Sequence, residues 1–164
     1  MADSRFVKLL SIPKSIYVSV KLLGWGGVKY ALKLPIFVRY NCVLNCLDGK
    51  VIVKKTPITP KMLSIGFSST GIFDKKYSRT ILEIAGLIEL EGPVCFGQGT
   101  RLSVGKTGTL SLGAGFSSTA ESTFVCVNKM HMGVGTAIGW SALAFRYEYR
   151  NRRIISSRWR GLYW

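Results

Sequence analysis

One stretch of the sequence, SVGKTGTL at residues 103–110, contains residue types that could bind a phosphate group. Its GKT segment, residues 105–107, has the order with which a P-loop ends, where the lysine reaches the phosphates of a nucleotide. The complete motif also needs a glycine five positions before this segment, and that position holds Thr100. Downstream, residues 110–112 alternate as a strand does, whereas a P-loop opens a helix. The sequence therefore does not favour a P-loop, and the glycines of this stretch need another explanation.

The chain has one histidine, His131, which is the natural candidate for a general base because an imidazole titrates near neutral pH. It lies between Met130 and Met132, and on a strand with apolar neighbours its side chain is predicted to point outward. A base also needs an orienting partner, and the sequence places neither Glu121 nor Asp74 near it. A surface histidine is the favoured interpretation, and a catalytic base is the alternative.

Four cysteines are present, and their spacing does not pair them as metal ligands: Cys42, Cys46, Cys95 and Cys126. No histidine or second cysteine pair accompanies the first two. We expect small buried thiols in a reducing compartment and no metal site.

The composition predicts one globular domain with a strongly positive surface. The chain has 164 residues, 48% of them hydrophobic, with 23 Lys and Arg against 8 Asp and Glu, which gives a net charge of +15. Such a charge suits nucleic acid, anionic lipid head groups or anionic small molecules, and it also serves solubility alone. Nucleic acid is not favoured, because aromatic residues are not interleaved with the basic ones and no nucleic-acid motif occurs.

Residues 1–60 form a basic lead-in that is predicted to be helical and then β-rich. Pro13 suits the first turn of a helix, and Gly24 is expected to end it. Strands are predicted in residues 34–43 and 50–54. Lysines interrupt each apolar run well before the ~20 residues that a membrane span requires.

The predicted helix has an apolar face formed by Ile16, Tyr17, Val20 and Leu23, which fall at helical spacing. An ordinary helix that packs on the rest of the domain explains this pattern. A helix lying on a membrane surface, which gives a peripheral membrane contact, is the alternative.

Residues 61–140 have a different character, because apolar residues recur at intervals of six. Many occur as apolar-x-apolar triplets with a glycine often following, as at residues 94–97, 102–105, 110–113 and 130–133. A period of six belongs to neither a helix nor an isolated hairpin, whereas it is typical of a parallel β-helix in which each hexapeptide supplies one strand and one corner. We therefore predict an all-β fold whose inward residues stack into one core. A β-sandwich is the alternative, although its strands would recur every ~8–12 residues.

This region resembles the hexapeptide-repeat acyltransferases, and most closely the branch found in bacterial capsule and lipopolysaccharide clusters. The resemblance rests on the lead-in IPKSIYVSVKLLGWGGVKYALKLPIFV, the block IGFSSTGIFDKKYSRTILEIAG and the coils GQGTRLSVGKTGTLSLGAGFSSTAESTFVCV. It implies a left-handed parallel β-helix and a homotrimer with active sites between neighbouring chains. We expect a cytoplasmic protein, and a position at the inner face of the membrane is the alternative.

The resemblance also implies a reaction, the transfer of an acetyl group from acetyl-CoA to a sugar acceptor in polysaccharide biosynthesis, without a metal. A histidine acts as the base in such enzymes, and basic residues contact the phosphates of CoA. The candidate phosphate contacts in this chain are Lys75, Lys76, Arg79, Arg101 and Lys106.

The segment at residues 141–164 departs from the family pattern. It has no His and no Asp where the resemblance places the catalytic histidine, and it holds six arginines, between Arg146 and Arg160, against four in residues 1–140. We expect either an amphipathic cap or a reading frame that slips after Trp140, which leaves the β-helix truncated. The predicted function is an acetyl-CoA-dependent O-acyltransferase-like protein cut short before its catalytic histidine, and the alternative is a non-catalytic β-helix scaffold or trimer subunit.

Overall fold

The computed structural model of the chain describes residues 5–24, 28–54, 57–68 and 78–146. Three helices come first: α1 (Arg5–Leu10), α2 (Ile12–Leu23) and α3 (Val28–Ala31). The strands that follow are β1 (Ile36–Val38), β2 (Val43–Cys46), β3 (Lys50–Val53), β4 (Leu63–Ser68), β5 (Ile81–Ile84), β6 (Leu87–Leu90), β7 (Val94–Gly97), β8 (Arg101–Val104), β9 (Thr109–Leu112), β10 (Ser117–Ser118), β11 (Thr123–Cys126), β12 (Lys129–Met132), β13 (Ala137–Ile138) and β14 (Leu143–Arg146).

The strands form three sheets, and every pairing in them is parallel. Sheet A has the order β1-β4-β7-β10-β13, sheet B has β2-β5-β8-β11-β14, and sheet C has β3-β6-β9-β12. Consecutive strands therefore lie in different sheets, and each group of three makes one coil. This arrangement is consistent with the parallel β-helix that the hexapeptide spacing predicts. The first coil, β1 to β3, belongs to the lead-in of residues 1–60.

Successive coils pair in register, except for shifts at Leu44/Cys46 in sheet B and at Ile65/Ser68 in sheet A, and this pairing stacks their inward side chains into columns. Arg101 pairs with Thr123 and Thr123 with Leu143, so these coils are offset by 22 and 20 residues. One column of sheet C consists of Val51, Ile88, Leu110 and Met130, all at most 7% exposed. The apolar residues that the sequence pattern assigns to the core are indeed buried.

Aromatic side chains fill the core where the third and fourth coils meet. Phe96, Phe116 and Phe124 are fully buried, and their ring centroids are 5.2–6.0 Å apart in tilted and edge-on orientations. Such contacts add about 0.5–1.5 kcal/mol per pair to the burial of the rings.

Helix α2 begins and ends as predicted, with Pro13 in its first turn and Gly24 at its C-cap with a φ of 64°. Its packing face differs from the predicted one. Tyr17 and Val20 of the expected face are exposed, whereas Val18 and Leu22 are buried in the core together with three serines: Ser11, Ser15 and Ser19.

The three serines explain this orientation, because they satisfy the outer edge of β1. The hydroxyl of Ser15 accepts from the Val38 N–H at 2.9 Å, and the hydroxyl of Ser11 accepts from the Tyr40 N–H at 3.0 Å. Ser19 donates to the carbonyl of Ile36 at 3.2 Å. Buried backbone groups require such partners, so hydrogen bonding, and not only apolar area, selects the face of α2 that packs.

Glycines at the corner between sheets B and C let adjacent coils approach closely. A Cβ on Gly108 would lie 2.3 Å from the carbonyl oxygen of Cys126, and one on Gly86 would lie 2.4 Å from that of Gly108. Gly105, in the GKT segment, is different, because the nearest atom to its added Cβ is 3.7 Å away. The glycine that this stretch requires is therefore Gly108.

The last described strand, β14, breaks the inward pattern. In sheet B, Ile84, Val104 and Cys126 stack in one column, and the next position of that column holds Arg146, which is exposed. Leu143 and Phe145, on the same strand, are 67% and 58% exposed. Among the described residues, no helix combines the length and the apolar character needed to cross a bilayer.

The close approach at the corner predicts different effects for two neighbouring glycines. We expect Gly108→Ala to lower the free energy of unfolding by about 1–3 kcal/mol, because its methyl group meets a backbone carbonyl that cannot move alone. Gly105→Ala is the matched control and should change it by less than about 0.5 kcal/mol. Urea denaturation of both variants measures this. Equal effects of the two substitutions would contradict the assigned contact.

The serine contacts predict that Ser15→Ala lowers the free energy of unfolding by about 1–2 kcal/mol, because the buried Val38 N–H loses its acceptor. Lys21→Ala, on the exposed face of the same helix, should change it by no more than about 0.5 kcal/mol. Thermal and urea unfolding would test the pair. A neutral Ser15→Ala variant would show that β1 does not depend on the helix for its edge.

Candidate functional site

In-register stacking aligns outward side chains as well as inward ones, and on sheet C it builds a polar column. The outward positions of β3, β6, β9 and β12 hold Ile52, Glu89, Ser111 and His131, each paired with the next. The sequence contained this signal, because the last three are the middle residues of the apolar-x-apolar triplets. Aligning them requires the coil lengths of 22 and 20 residues, which the hexapeptide count alone does not supply.

Glu89 is held from two sides within this column. The hydroxyl of Ser111 donates to its Oε2 at 2.7 Å, and the ammonium of Lys54 lies 2.8 Å from its Oε1. The hydrogen bond from Lys54 and then that from Ser111 lower the pKa of Glu89 below its ordinary value. Glu89 is therefore a carboxylate at neutral pH and is 16% exposed.

A shallow, open depression of about 540 Å³ surrounds the column, and we call it the sheet C groove. Three of its lining side chains are cationic and one is anionic, which makes it attractive to an anionic ligand. The residues that line it are Lys54, Leu87, Glu89, Thr109, Ser111, Lys129, Met130, His131 and Arg146.

His131 is exposed in this groove, as the outward orientation predicted from its neighbours requires. Its imidazole can accept a proton from a hydroxyl bound beside it. Glu89, the carboxylate in the same column, lies two coils away from His131, on the other side of Ser111. It is engaged by Ser111 and Lys54. Two other acids were considered from the sequence. Glu121 lies before β11, beside Gly99, whereas His131 lies after β11, on β12. Asp74 lies outside the described residues.

A second Glu–Ser pair on sheet B shows what the column alone signifies. Ser103 of β8 donates to Glu83 of β5 at 2.9 Å, in the same two coils as Ser111 and Glu89 but on a different sheet. The outward position that pairs with Ser103 in the next coil holds Val125, and not a histidine. A Glu–Ser contact is thus a recurrent way to join the second and third coils. What distinguishes the sheet C groove is His131 together with its three cations.

The described residues among those predicted to contact CoA, which are Arg79, Arg101 and Lys106, lie outside the groove. Arg101 begins β8 and pairs with Ile81, the first residue of β5. Arg79 lies just before Ile81, so both arginines lie where strands of sheet B begin. Lys106 is exposed between β8 and β9, just after the point where β8 ends. None of these three lines the groove. Lys75 and Lys76 lie outside the described residues.

The cysteines are distributed through the core and its surroundings. Cys42 and Cys126 are buried, and burial raises the pKa of the Cys42 thiol to about 11 and also raises that of Cys126. Both thiols are therefore protonated and unreactive at neutral pH. Within the described ranges, no three His, Cys, Asp or Glu side chains are grouped as metal ligands would be.

Comparison of the chain with protein-family models, with curated proteins and with solved structures finds no match. The assignment to the hexapeptide-repeat acyltransferases therefore stays a prediction from the sequence.

The contacts of Glu89 predict a pH-dependent contribution to stability. Because its pKa is lowered in the folded chain, this contribution is complete above the unfolded value of about 4.3 and is lost as the pH falls through the folded value. We expect Glu89→Gln to lower the free energy of unfolding at pH 7 by about 1 kcal/mol or less, since Lys54 is half exposed.

The difference between wild type and Glu89→Gln should vanish in urea titrations performed below the folded pKa. Glu83→Gln, which alters the analogous exposed pair on sheet B, is the control and should show a smaller effect at pH 7. A difference that persists unchanged at the lowest pH would mean that the side-chain volume, and not the charge of Glu89, matters.

Proposed function

We propose that the chain is a left-handed β-helix protein of the acyltransferase type, which binds acetyl-CoA and transfers the acetyl group to a hydroxyl of a bacterial surface sugar. The observation that carries this proposal is the sheet C groove, where an exposed imidazole lies among three cations. The hexapeptide pattern supports a parallel β-helix, and the left-handed form follows from the family resemblance.

The resemblance places the catalytic histidine after residue 140, and in this shortened chain we assign its role to His131 as a substitute. The chemistry of the groove is then a direct acyl transfer. The oxygen of the acceptor hydroxyl attacks the thioester carbonyl while its proton passes to the imidazole of His131. The carbon–sulfur bond then breaks, and CoA leaves as a thiolate that takes up the proton from the imidazolium. Imidazole suits this exchange because the same ring nitrogen can accept a proton and then release it.

The groove cations are placed to bind the phosphates of CoA in this scheme. Lys129 lies on the strand of His131, and Arg146 lies at the end of β14 in sheet B. Both line the groove and are exposed, whereas Lys54 is already engaged by Glu89. Arg79, Arg101 and Lys106 remain a second set of candidate phosphate contacts, on a different face. The groove is open to solvent, and a neighbouring chain of a homotrimer would cover its open side.

We also propose that the β-helix is truncated, with its hexapeptide pattern lost after Trp140. Arg146 occupies an inward position that holds Ile84, Val104 and Cys126 in the preceding coils, which supports a loss of the hexapeptide pattern after Trp140. A frame slip in the coding sequence accounts for this loss. The gene sequence tests it, because another frame downstream should then encode further hexapeptides and an Asp-Thr-x-x-His-like segment.

A non-catalytic scaffold is the second candidate, and one observation favours it. The carboxylate in the column of His131 is held by Ser111 and Lys54, and a similar Glu–Ser pair occurs on sheet B without a histidine. In this interpretation the column joins coils and performs no chemistry.

Binding of CoA and turnover separate the two candidates. We expect CoA to raise the melting temperature of the wild type, and the double variant Lys129→Gln/Arg146→Gln to weaken CoA binding about 10-fold or more through the loss of two charges. His131→Gln should retain CoA binding and lose acetyl transfer to a sugar acceptor. Calorimetric titration with CoA and a thiol-release assay measure these effects.

The control for charge is Lys29→Gln/Lys33→Gln, which removes two cations far from the groove and should leave CoA binding unchanged. If CoA neither binds nor stabilises the wild type, the enzyme proposal fails and the scaffold stands. If Arg101→Gln/Lys106→Gln weakens binding instead, the phosphates lie on sheet B and not in the groove.

A further inference from the structure

The helical end of the stack exposes many apolar side chains. We use the term helical cap for residues 5–24 and 28–33, which hold α1, α2 and α3. Of the thirteen exposed large hydrophobic side chains among the described residues, seven belong to this cap: Phe6, Leu9, Leu10, Tyr17, Val20, Val28 and Leu32. Single exposed apolar residues are ordinary, whereas a concentration of this kind marks a contact surface.

The spacing of these side chains gives each of the first two helices an exposed apolar face. In α1, which has no buried residue, Phe6, Leu9 and Leu10 share one side of the helix and are 45–65% exposed. In α2, Tyr17 and Val20 lie on the side opposite to the buried serines. Leu32, directly after α3, is 83% exposed. The interior of the domain therefore does not use these apolar faces.

The charge of the helical cap has one sign. No Asp or Glu occurs from residue 5 to residue 47, and five of the basic side chains in the cap are exposed: Arg5, Lys8, Lys21, Lys29 and Lys33. The sixth, Lys14, donates to the carbonyls of Tyr40 and Cys42 and so holds α2 to the first coil. The amines of Lys29 and Lys33 lie 5.0 and 5.8 Å from the centre of the Tyr30 ring. Cationic side chains thus accompany the apolar ones along the whole cap.

We infer that the helical cap docks on the surface of an anionic lipid bilayer, with the first coil of the β-helix nearest to the membrane. Exposed apolar side chains at helical spacing, fringed by lysines and arginines, are what interfacial helices use to enter the boundary between head groups and acyl chains. The basic residues are drawn to the negative surface potential of such a leaflet. This inference goes beyond the proposed acyl transfer and does not depend on it.

Charge decides between this occupant and a second copy of the chain. Two caps brought together would place five exposed cations against five others with no acidic residue between them in residues 5–47, which opposes self-association. An anionic bilayer satisfies both properties of the surface at once, since it offers negative charge and an apolar interior.

Co-sedimentation with vesicles tests the inference with the full chain. We expect binding to vesicles of phosphatidylcholine with phosphatidylglycerol, and much weaker binding to phosphatidylcholine alone or at high salt. Removing two cations in Lys29→Gln/Lys33→Gln should weaken binding to the anionic vesicles about 30-fold. Leu9→Ser/Leu32→Ser should weaken it about 10-fold or more, because less apolar surface enters the interface.

Matched substitutions far from the cap are the controls. Val134→Ser/Leu143→Ser removes equally exposed apolar side chains at the other end of the stack, and Lys129→Gln/Arg146→Gln removes two cations of the groove. Neither should change vesicle binding. All of the altered side chains are exposed, so urea unfolding should show intact folds.

Three outcomes would overturn the inference. The first is a wild-type chain that does not sediment with anionic vesicles. The second is an equal loss of binding in the cap variants and in the controls, which would indicate attraction by net charge alone. The third is a dimer in sedimentation velocity that the cap variants abolish, which would assign the surface to a second copy of the chain.

Discussion

The described coils are fixed by the backbone hydrogen bonds that their strands make to the strands of neighbouring coils, in register apart from two local shifts. Side chains alternate between the two faces of a strand, so this register decides at once which residues stack in the core and which stack outside. The buried column of Ile88, Leu110 and Met130 and the outer column of Glu89, Ser111 and His131 are consequences of one constraint. A change in register would dismantle the hydrophobic core and the groove together.

The hydrophobic core ends differently at the first coil and at the last described strand. At the first coil, α2 supplies serine hydroxyls to the backbone of β1 and buries Val18 and Leu22, which leaves its outer face apolar and basic. At the last described strand, the inward column passes from Cys126 to the exposed Arg146. The exposed apolar side chains are consequently concentrated at the ends, while the sides of the stack hold polar and charged columns.

Much of this fold could be predicted from the sequence, because the apolar-x-apolar triplets report directly on which side chains face inward. The beginning of α2 at Pro13 and its end at Gly24 were also predictable, since both residues restrict the backbone locally. The face of α2 was not, because the serines that select it act on β1 through hydrogen bonds that hydrophobic spacing does not record. The same limit applies to Gly108, whose contact is with a coil some twenty residues later.

The groove could be predicted only in part. The outward orientation of His131 follows from its neighbours, and the middle residues of the triplets were in view. Their alignment depends on corners that make one coil 22 residues long and the next 20, and corner lengths are set by local turns that a count of six does not resolve. The contact of Lys54 with Glu89 could not be predicted for a related reason. A long insertion between the first and second coils separates the two residues in the sequence, although their strands are neighbours.

The serines of α2 have a consequence for how copies of this chain can assemble. A β-helix offers an unpaired strand at each end, and two such ends can join head to tail into an open filament. Here the backbone of β1 at residues 36 and 38, and that of Tyr40 just after it, already has partners in Ser19, Ser15 and Ser11. The first coil is therefore closed to strand addition along sheet A, and a polymer cannot propagate through that edge unless α2 first detaches.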